Sequence, residues 1–331
     1  MNNEERYEMS YLAGAFDGDG CFSLCRKVEN SNRSTLYYPM VQFGCKDDVL
    51  INMLKEKFGG YVHETKKHVS KEGFERQRFF RYKLEKRTRC KPFLEQIIPF
   101  LKIKQDRAQE ILDFINENPF VRGSRRLDEE ILLRRERAYR KIRAMNQEKR
   151  SASKKRRKEI PLLENDLFWS YVSGLMDTDG SFSINKNGYA PTISLSMSDM
   201  RSIEYIENVL KKGFVSVIKA KTCKLGYTYR WSCKKLDDVE DFLNGVIPYL
   251  RMKKENAETL LEFCKKRTPT THRRGGIPKE ELKLREFYHQ KLYHLNKYGV
   301  FKLSLIDLEA QEQGDRAEGE SHRERLNEMA S

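Results

Sequence analysis

The sequence predicts an α+β protein built from two tandem copies of one αββαββα domain. Two observations lead to this prediction. Three separate blocks of the 331-residue chain occur twice, in the same order. Within each copy, helix-like patterns are interspersed with stretches in which every second residue is apolar, as in strands that bury one face. The length also suits two domains of about 100 to 150 residues each.

The repeat is clearest in a segment that reads aromatic, apolar, small, Gly, two apolar residues and then Asp-x-Asp-Gly. Its two occurrences begin at Tyr11 and Tyr171. The matched blocks are 11–23 with 171–183, 93–104 with 242–253, and 135–146 with 285–296. Chance similarity would not persist through three blocks, so the chain is a tandem duplication with a unit of roughly 150 residues.

Periodicity assigns the elements of the two copies in the same order. In the first copy we predict helices over 7–16, 49–57, 90–100 and 105–116, and strands over 21–26, 40–44, 61–66 and 79–84. In the second copy we predict helices over 167–176, 200–211, 237–250 and 255–265, and strands around 182–184, 193–195, 215–219 and 227–233. Asn165 or Asp166 is expected to cap the second motif helix. Gly20 and Gly180 are expected to end the motif helices in the left-handed conformation.

The organisation divides the chain into five parts. We predict a first domain over 1–120, a basic helical linker over 121–164, a second domain over 165–270, a trailing helix over 271–306 and an acidic, disordered tail over 307–331. The linker contains the basic run Lys154–Lys158. That run suits contacts with phosphate groups, although it is also typical of a nuclear-localisation-like or merely solvated segment.

The composition describes a globular protein with a strongly cationic surface. It has 38% hydrophobic residues, 34% charged residues and a formal net charge of +15, and such a surface attracts a polyanion. No apolar stretch approaches the roughly 20 residues that span a bilayer, and the first residues are too polar for a signal peptide. We therefore expect an intracellular protein with no membrane partner. Seven scattered cysteines support neither a disulfide framework nor a zinc site.

Each repeated motif has the features of a cation site. Asp19 and Asp179 fall where the motif helices end, and there the unpaired carbonyls and the helix dipole present negative charge. Carboxylates are the hard oxygen ligands that Mg²⁺ or Mn²⁺ prefers, and the carbonyls of Gly18 and Thr178 would be companion ligands. One such motif is more often a helix stop followed by a turn. Two in matched context favour a functional site.

The motif helices also carry small residues that suit a close helix pair. Ala13 and Gly14 in the first copy, and Ser173 and Gly174 in the second, leave each helix a smooth face. Two such helices can approach backbone to backbone. If the copies pair in this way, the two carboxylates converge near a pseudo-twofold axis, and one chain presents two metal sites.

The segments 12–20 and 172–180 resemble the two motifs of the monomeric, double-motif LAGLIDADG homing endonucleases, and the resemblance extends to about Lys297. It implies a saddle of two antiparallel sheets that binds double-stranded DNA. It also implies a monomer that breaks both strands of a long recognition site with divalent metal, promoting homing of an intron, intein or free-standing mobile gene. In this family the last acid of each motif binds the catalytic metal, which carries over to Asp19 and Asp179. The first acids, Asp17 and Asp177, resemble structural residues.

The resemblance also concerns two lysines. Lys104 and Lys253 match the family's lysine in the basic pocket around the metals, where it would stabilise the pentacovalent phosphate or activate water. Without the resemblance, a solvated lysine at a helix start is equally expected. Many family members carry a glutamine where this chain has Cys45 and Met197, so no residue is assigned to position the attacking water.

Alternation along the strands predicts a polar face that continues from the two acids onto DNA. The candidate DNA-binding residues are Ser23, Cys25, Lys27, Gln42, Arg81, Lys83, Ser181, Ser183, Asn185, Asn187, Thr192, Ser194 and Arg230. Taken singly, a polar residue on a strand is more often just part of a solvated face.

Two other functions compete with DNA cleavage. A non-cleaving nucleic-acid binder on the same scaffold, such as a group I intron RNA maturase or a transcription regulator, would need no metal-binding acids, yet both copies keep an aspartate and a lysine. A helical scaffold protein would leave the duplicated glycine and aspartate pattern unexplained. Intron RNA is a further expected partner. The expected location is a bacterial or phage-host cytoplasm, or a chloroplast or mitochondrial matrix.

Overall fold

The computed structural model describes residues 1–29, 34–65, 78–118, 128–147, 160–219, 226–268 and 277–298. In the first copy the elements are α1 (Asn3–Asp19), β1 (Cys21–Glu29), β2 (Ser34–Cys45), α2 (Val49–Phe58), β3 (Tyr61–Thr65), β4 (Phe79–Leu84), α3 (Arg87–Ile97), α4 (Gln105–Glu117) and α5 (Glu129–Gln147). In the second copy they are α6 (Asn165–Asp179), β5 (Gly180–Ile184), β6 (Pro191–Met197), α7 (Met200–Leu210), β7 (Phe214–Lys219), β8 (Tyr227–Cys233), α8 (Leu236–Val246), α9 (Lys254–Lys266) and α10 (Lys279–Tyr298). The predicted basic run Lys154–Lys158 and the predicted tail lie outside the described residues.

The two copies build two four-stranded sheets with the same strand order. The orders are β1-β2-β4-β3 and β5-β6-β8-β7, and the pairs β1–β2, β2–β4 and β3–β4 of the first sheet are antiparallel. The predicted α+β fold and the duplication are therefore confirmed. In each copy the order αββαββα is followed by one more helix, α4 or α9, and then by the trailing helix, α5 or α10.

The strands show the alternation that the sequence predicts. In β1, Phe22 and Leu24 are buried, whereas Cys21 is exposed and Ser23 is half-buried. In β5, Phe182 and Ile184 are buried in the same way. Each sheet therefore has one apolar face turned towards a hydrophobic core and one more polar face.

The glycines that follow the motif helices are not left-handed, contrary to the prediction. Gly20 has φ −73° and Gly180 has φ −83°, both in the extended region. These positions require glycine because the packing is close. A β-carbon at Gly20 would lie 2.6 Å from Phe16 Cα, and one at Gly180 would lie 2.6 Å from Met176 Cα. The chain passes directly from each helix into the following strand, which holds the helix end at the edge of the sheet.

The predicted cap of the second motif helix is also wrong. Glu164 occupies the cap position of α6 and makes no side-chain cap hydrogen bond, while Asn165 is already helical. The first motif helix is capped by Asn2, whose side chain accepts from Glu5 N while Glu5 accepts from Asn2 N, a reciprocal capping box. That cap extends α1 four residues before the predicted start, from Tyr7 back to Asn3.

The chain forms two compact units. One contains the described residues within 1–181 and 193–254, and with them both motif helices and the first sheet; the other contains the described residues within 182–192 and 255–298. The domain boundaries inferred from the sequence remain predictions. In the part of the chain that the structure describes, no helix is long and apolar enough to cross a membrane.

Candidate active site

The motif helices α1 and α6 pack against each other with their backbones in contact. A β-carbon at Gly14 would overlap the carbonyl oxygen of Tyr171, and one at Gly174 would overlap the carbonyl oxygen of Tyr11. Only glycine allows so close an approach. Of the four residues predicted at this helix pair, Gly14 and Gly174 make the contact. Ala13 and Ser173 are buried beside them, and the Ser173 hydroxyl donates to Val246 O of α8 at 3.0 Å, within its own copy.

The second acids of the two motifs lie at the ends of this helix pair. Asp19 is the last residue of α1 and Asp179 is the last residue of α6. A β-carbon at Gly18 would lie 3.0 Å from Asp179 Oδ2, which shows how closely the helix ends converge. The two copies differ at the residue before the second acid. The first copy has Gly18 there, whereas the second has Thr178, whose hydroxyl donates to Leu175 O at 3.0 Å.

The two predicted lysines cap the ends of the motif helices. Lys104 Nζ donates to the carbonyl oxygens of Phe16 (2.8 Å), Gly18 (2.7 Å) and Gly20 (2.7 Å). An ammonium has three N–H donors, and this geometry directs all three at carbonyls. The lysine therefore places a fixed positive charge where the helix dipole is negative.

The second copy repeats this arrangement. Lys253 Nζ donates to the carbonyl oxygens of Met176 (2.9 Å), Thr178 (3.2 Å) and Gly180 (2.6 Å). Gly18 O and Thr178 O, the predicted companion ligands of the metal, are thus already acceptors from the lysines. Each carbonyl oxygen has a second lone pair, so their assignment as ligands remains a prediction.

The first acids hold the chain segments that carry the lysines. Asp17 accepts hydrogen bonds from the backbone N–H groups of Lys102 (2.8 Å), Ile103 (3.0 Å) and Lys104 (2.7 Å). In the second copy Asp177 accepts from the N–H groups of residues 251, 252 and 253, at 2.8, 3.1 and 2.8 Å. Both carboxylates are buried, at 1% and 2% exposure, and their backbone partners satisfy them as buried charges require.

Two tyrosines cross between the copies to reach these acids. Tyr11 of α1 donates to Asp177 Oδ2 of α6 at 2.6 Å. Tyr171 of α6 donates to Asp17 Oδ2 of α1 at 2.8 Å. Each first acid is therefore bound both by its own copy's lysine segment and by the opposite copy's tyrosine.

Burial disfavours the ionised form of the second acids. It raises the pKa of Asp19 above its ordinary value, against the opposing effect of Lys104 and Lys253. Burial, followed by the negative charge of Asp19, raises the pKa of Asp179 to about 6. Asp179 is half-buried and Asp19 reaches solvent at the end of its helix. A divalent cation would stabilise two neighbouring carboxylates whose ionised forms are disfavoured in this way. Burial likewise lowers the pKa of Lys253, although Asp177 and Asp179 oppose this.

No grouping of three or more His, Cys, Asp or Glu side chains that would suit a metal occurs among the described residues. A cation at the helix ends would therefore need carbonyl, water or phosphate oxygens besides Asp19 and Asp179. This is the usual composition of a magnesium site, which keeps several waters and substrate oxygens.

Cys45 and Met197 offer no group that would activate water. The Cys45 thiol is buried and donates to Asp47 O at 2.8 Å, and burial raises its pKa to about 12. Met197 is 6% exposed and lies on the buried face of β6. Both side chains belong to the hydrophobic core of their sheets, so the role of the family's glutamine stays unassigned.

The first sheet places several predicted DNA-binding residues in one cross-strand row. Cys21 pairs with Gln42, Gln42 with Lys83, and Lys83 with Tyr61. Paired residues of antiparallel strands point to the same face, so these side chains share the more polar face. Arg81 is exposed on that face one row further along.

Three more candidates follow along β1 on the same face. Ser23 and Cys25 are half-buried and Lys27 is exposed. Their cross-strand partners in β2 are Met40, Tyr38 and Leu36. The first sheet therefore presents all six of its candidate residues on a single face.

In the second copy the candidates fall into two settings. Arg230 is exposed on β8 and pairs with Ser196, whose hydroxyl accepts from Arg230 Nε at 2.8 Å. Ser194, one row away, pairs with Ser232, and Ser181 is half-buried on β5. These residues belong to the unit that contains the motif helices.

The other second-copy candidates lie in the hairpin 182–192. Ser183 Oγ donates to the carbonyl of Thr192 at 3.4 Å. Asn185 and Asn187 do not lie on a strand, contrary to the prediction, because β5 ends at Ile184. They belong to the turn that follows, where Asn187 N donates to Asn185 Oδ1 at 2.9 Å, a local side-chain turn typical of asparagine.

The sequence analysis missed the role of Tyr11 and Tyr171. Both stand at the aromatic position of the repeated motif, so the alignment already contained a signal. The phenols are buried, at 1% and 0% exposure, and a buried tyrosine hydroxyl needs a polar partner. A search for that partner among the acids of the opposite motif would have suggested the crossed pairing.

Neither a protein-family model nor a curated protein sequence matches the chain. Solved structures do match it. The LAGLIDADG homing endonuclease I-GzeII in complex with its DNA target shares 16% identity, with a TM-score of 0.57 over 84% of this chain and 97% of that one. The meganuclease I-AabMI bound to uncleaved DNA shares 15% identity, with a TM-score of 0.57 over 85% and 98% of the two chains.

A third solved structure, the LAGLIDADG homing endonuclease I-LtrWI bound to target DNA, shares 16% identity, with a TM-score of 0.57 over 87% of this chain and 98% of that one. These matches span both copies. The chain therefore has the fold of the double-motif LAGLIDADG homing endonucleases, as the motif resemblance implied.

Proposed function

We propose that the protein is a site-specific DNA endonuclease that makes a metal-dependent double-strand break at a long recognition site. We further propose that such breaks promote homing of an intron, an intein or a free-standing mobile gene. The observation that carries the proposal is the pair of acid-and-lysine sites at the converging ends of α1 and α6. A protein that only bound DNA would have no use for two neighbouring aspartates whose pKa values are raised above the ordinary value.

In this proposal Asp19 and Asp179 hold Mg²⁺ or Mn²⁺, with Gly18 O and Thr178 O as further oxygen donors. A bound divalent ion would neutralise phosphate charge and lower the pKa of water. The chain's own contribution is positive charge at fixed places. Lys104 and Lys253 direct their N–H groups at backbone carbonyls, so they would stabilise developing negative charge on the phosphate by electrostatics rather than by donating a proton.

The sheets supply the DNA contacts in this proposal. Gln42, Lys83 and Arg81 share one face of the first sheet, and two antiparallel strands fit the major groove, where such side chains can bind base edges. The known proteins of this fold described above were crystallised with DNA. Because both half-sites lie in one chain, we expect a monomer to cut both strands.

The test is cleavage of a randomised double-stranded DNA library in Mg²⁺, in Mn²⁺ and in EDTA, followed by sequencing of the cut ends. We expect one preferred long site, cut only with metal, by a protein that sediments as a monomer. Asp19→Asn and Asp179→Asn should abolish cleavage and keep target binding. The exposed Asp237→Asn is the matched control and should cut normally.

Two results would contradict the proposal. Tight, sequence-selective binding without cleavage in either metal would identify a non-cleaving binder on this fold. Cleavage that survives EDTA, or that proceeds at the normal rate in both aspartate variants, would show that the acids at the helix ends are not the metal site.

A further inference from the structure

The crossed tyrosines make hydrogen bonds of the same pattern in both copies. Oδ2 of Asp177 accepts the Tyr11 hydroxyl and the N–H groups of Arg251 and Met252, which leaves Oδ1 for the N–H of Lys253. Oδ2 of Asp17 accepts the Tyr171 hydroxyl and the N–H groups of residues 102 and 103, and Oδ1 accepts the N–H of residue 104. The tyrosine therefore helps to fix which carboxylate oxygen faces the lysine.

The tyrosine hydroxyls remain protonated donors in this arrangement. Burial and the adjacent carboxylate raise the pKa of Tyr11 and of Tyr171 well above the ordinary value. A short hydrogen bond from a neutral phenol to a buried carboxylate is strong and directional. The Arg251 guanidinium also lies 4.9 Å from the centre of the Tyr11 ring, a second contact between the tyrosine and the segment that carries Lys253.

We propose that each half-site's lysine is positioned by the tyrosine of the opposite motif. Tyr11, in the first copy, positions Lys253 through Asp177. Tyr171, in the second copy, positions Lys104 through Asp17. This inference rests on the proposed endonuclease function for its catalytic consequence, and on geometry alone for the crossed positioning. Each half-site is then incomplete without a residue from the other copy.

If the proposal holds, removing one tyrosine hydroxyl should slow cleavage of the DNA strand that depends on the lysine of the opposite copy. On a target labelled separately on each strand, Lys253→Met and Lys104→Met first establish which strand depends on which lysine. Tyr11→Phe, which removes only the hydroxyl, should slow the strand that depends on Lys253. Tyr171→Phe should slow the strand that depends on Lys104. We expect roughly tenfold in single-turnover rate, the lower end of what loss of a supporting hydrogen bond costs at a metal site.

A matched control separates positioning from packing. Tyr205 is also a buried tyrosine, 2% exposed, whose hydroxyl accepts from Leu163 N and has no part in the crossed bonds. Tyr205→Phe should therefore change both strands equally or not at all. The proposal would be overturned if Tyr11→Phe slowed the same strand as Lys104→Met. It would also be overturned if Tyr11→Phe and Tyr171→Phe each slowed both strands equally.

A second measurement does not depend on cleavage. Hydrogen exchange of the backbone amides should become faster at residues 251–253 in Tyr11→Phe and at residues 102–104 in Tyr171→Phe, because those amides bind the acid that loses its tyrosine. Exchange that changes in the tyrosine's own copy, or in neither segment, would overturn the crossed positioning. A wild-type protein that cuts no DNA would refute the proposed function, and the exchange data would still decide the positioning.

Discussion

Gly14 packs against the backbone of Tyr171 so closely that an added β-carbon would lie 1.9 Å from the Tyr171 carbonyl oxygen. Gly174 and Tyr11 make the same contact in the opposite direction. The closeness of α1 and α6, and with it the convergence of Asp19 and Asp179, depends on these two glycines.

Gly14→Ala and Gly174→Ala should therefore destabilise the protein. The added methyl group overlaps a backbone oxygen that cannot rotate away, so the helices must separate, at a cost of about 1 to 3 kcal/mol or more. In an exposed helix the same substitution stabilises by about 1 kcal/mol. The sign of the change in unfolding free energy, from denaturant titration, thus identifies the clash. An unchanged or raised midpoint in both variants would contradict the packing described here.

Lys104→Met and Lys253→Met should slow the chemical step far more than they weaken target binding. The substitution keeps most of the side-chain volume but removes the charge beside the acids, which we expect to cost about a hundredfold in single-turnover rate. Lys254→Met, at the exposed neighbouring residue, is the control and should have little effect. Equal losses in affinity and rate would instead make the two lysines phosphate-binding residues.

Cleavage at limiting magnesium should rise with pH through about 6. The pKa of Asp179 is raised to about 6, and a carboxyl group must lose its proton before it binds metal. Saturating Mg²⁺ competes with the proton, so the midpoint of the pH profile should move to lower pH. Rates measured from pH 5 to 8 at two Mg²⁺ concentrations test this. A midpoint that does not respond to metal would exclude Asp179 as a ligand.

Asp179→Asn should raise the stability of the metal-free protein at pH 8. The folded-state pKa lies above the ordinary 3.8, so ionising Asp179 costs the folded protein free energy. That cost grows as the pH rises from about 4 to about 6, and above pH 6 it amounts to about 2 to 3 kcal/mol of unfolding free energy. The asparagine variant avoids the cost, and the difference in melting temperature should vanish at pH 4. Addition of Mg²⁺ should stabilise the wild type more than the variant, which keeps only Asp19.

Variants of base-contacting residues and variants of phosphate-contacting residues should differ in the salt dependence of their DNA affinity. Gln42→Leu or Arg230→Met should relax base preference at particular target positions, at roughly 1 to 3 kcal/mol for a good bidentate contact, with little change in salt slope. Neutralising the basic run Lys154–Lys158 should weaken all DNA about equally and flatten the salt slope. Affinities for single-base target variants at two salt concentrations distinguish the two groups. A reversed pattern would place the DNA-facing surface elsewhere.

Much of the fold was predictable because each element depends on local sequence. Alternation around Phe22 and Leu24 needs only the strand period, and the predicted bounds of β4 and β8 agree with the structure. The duplication then let weak signals in one copy support those in the other. The asparagines at 185 and 187 were misplaced because the alternation of Phe182 and Ile184 was extended into the polar run 185–188, whose Asn and Gly residues favour a turn.

The details of the site were harder to predict because they depend on contacts between distant residues. Helix periodicity places Asp19 at a helix end, but it does not show that Lys104 directs its N–H groups at the carbonyls of that end. The conformation of Gly20 was mispredicted for a similar reason, since its absent side chain reflects the packing of Phe16 rather than local backbone preference. The crossed tyrosines require knowing which copy supplies each partner.

The pairing of α1 with α6 also bears on how the protein is made. Gly14 of the first motif packs against Tyr171 of the second, but the two motifs are separated by roughly half the chain. At a synthesis rate of about 5 to 20 residues per second, the first motif leaves the ribosome about 10 to 30 s before the second. The nascent first copy carries only one of the two proposed metal-binding acids, Asp19, and one of the two site lysines, Lys104, and its Gly14 has no partner helix. A complete pair of half-sites forms only when α6 has been synthesised and has docked on α1.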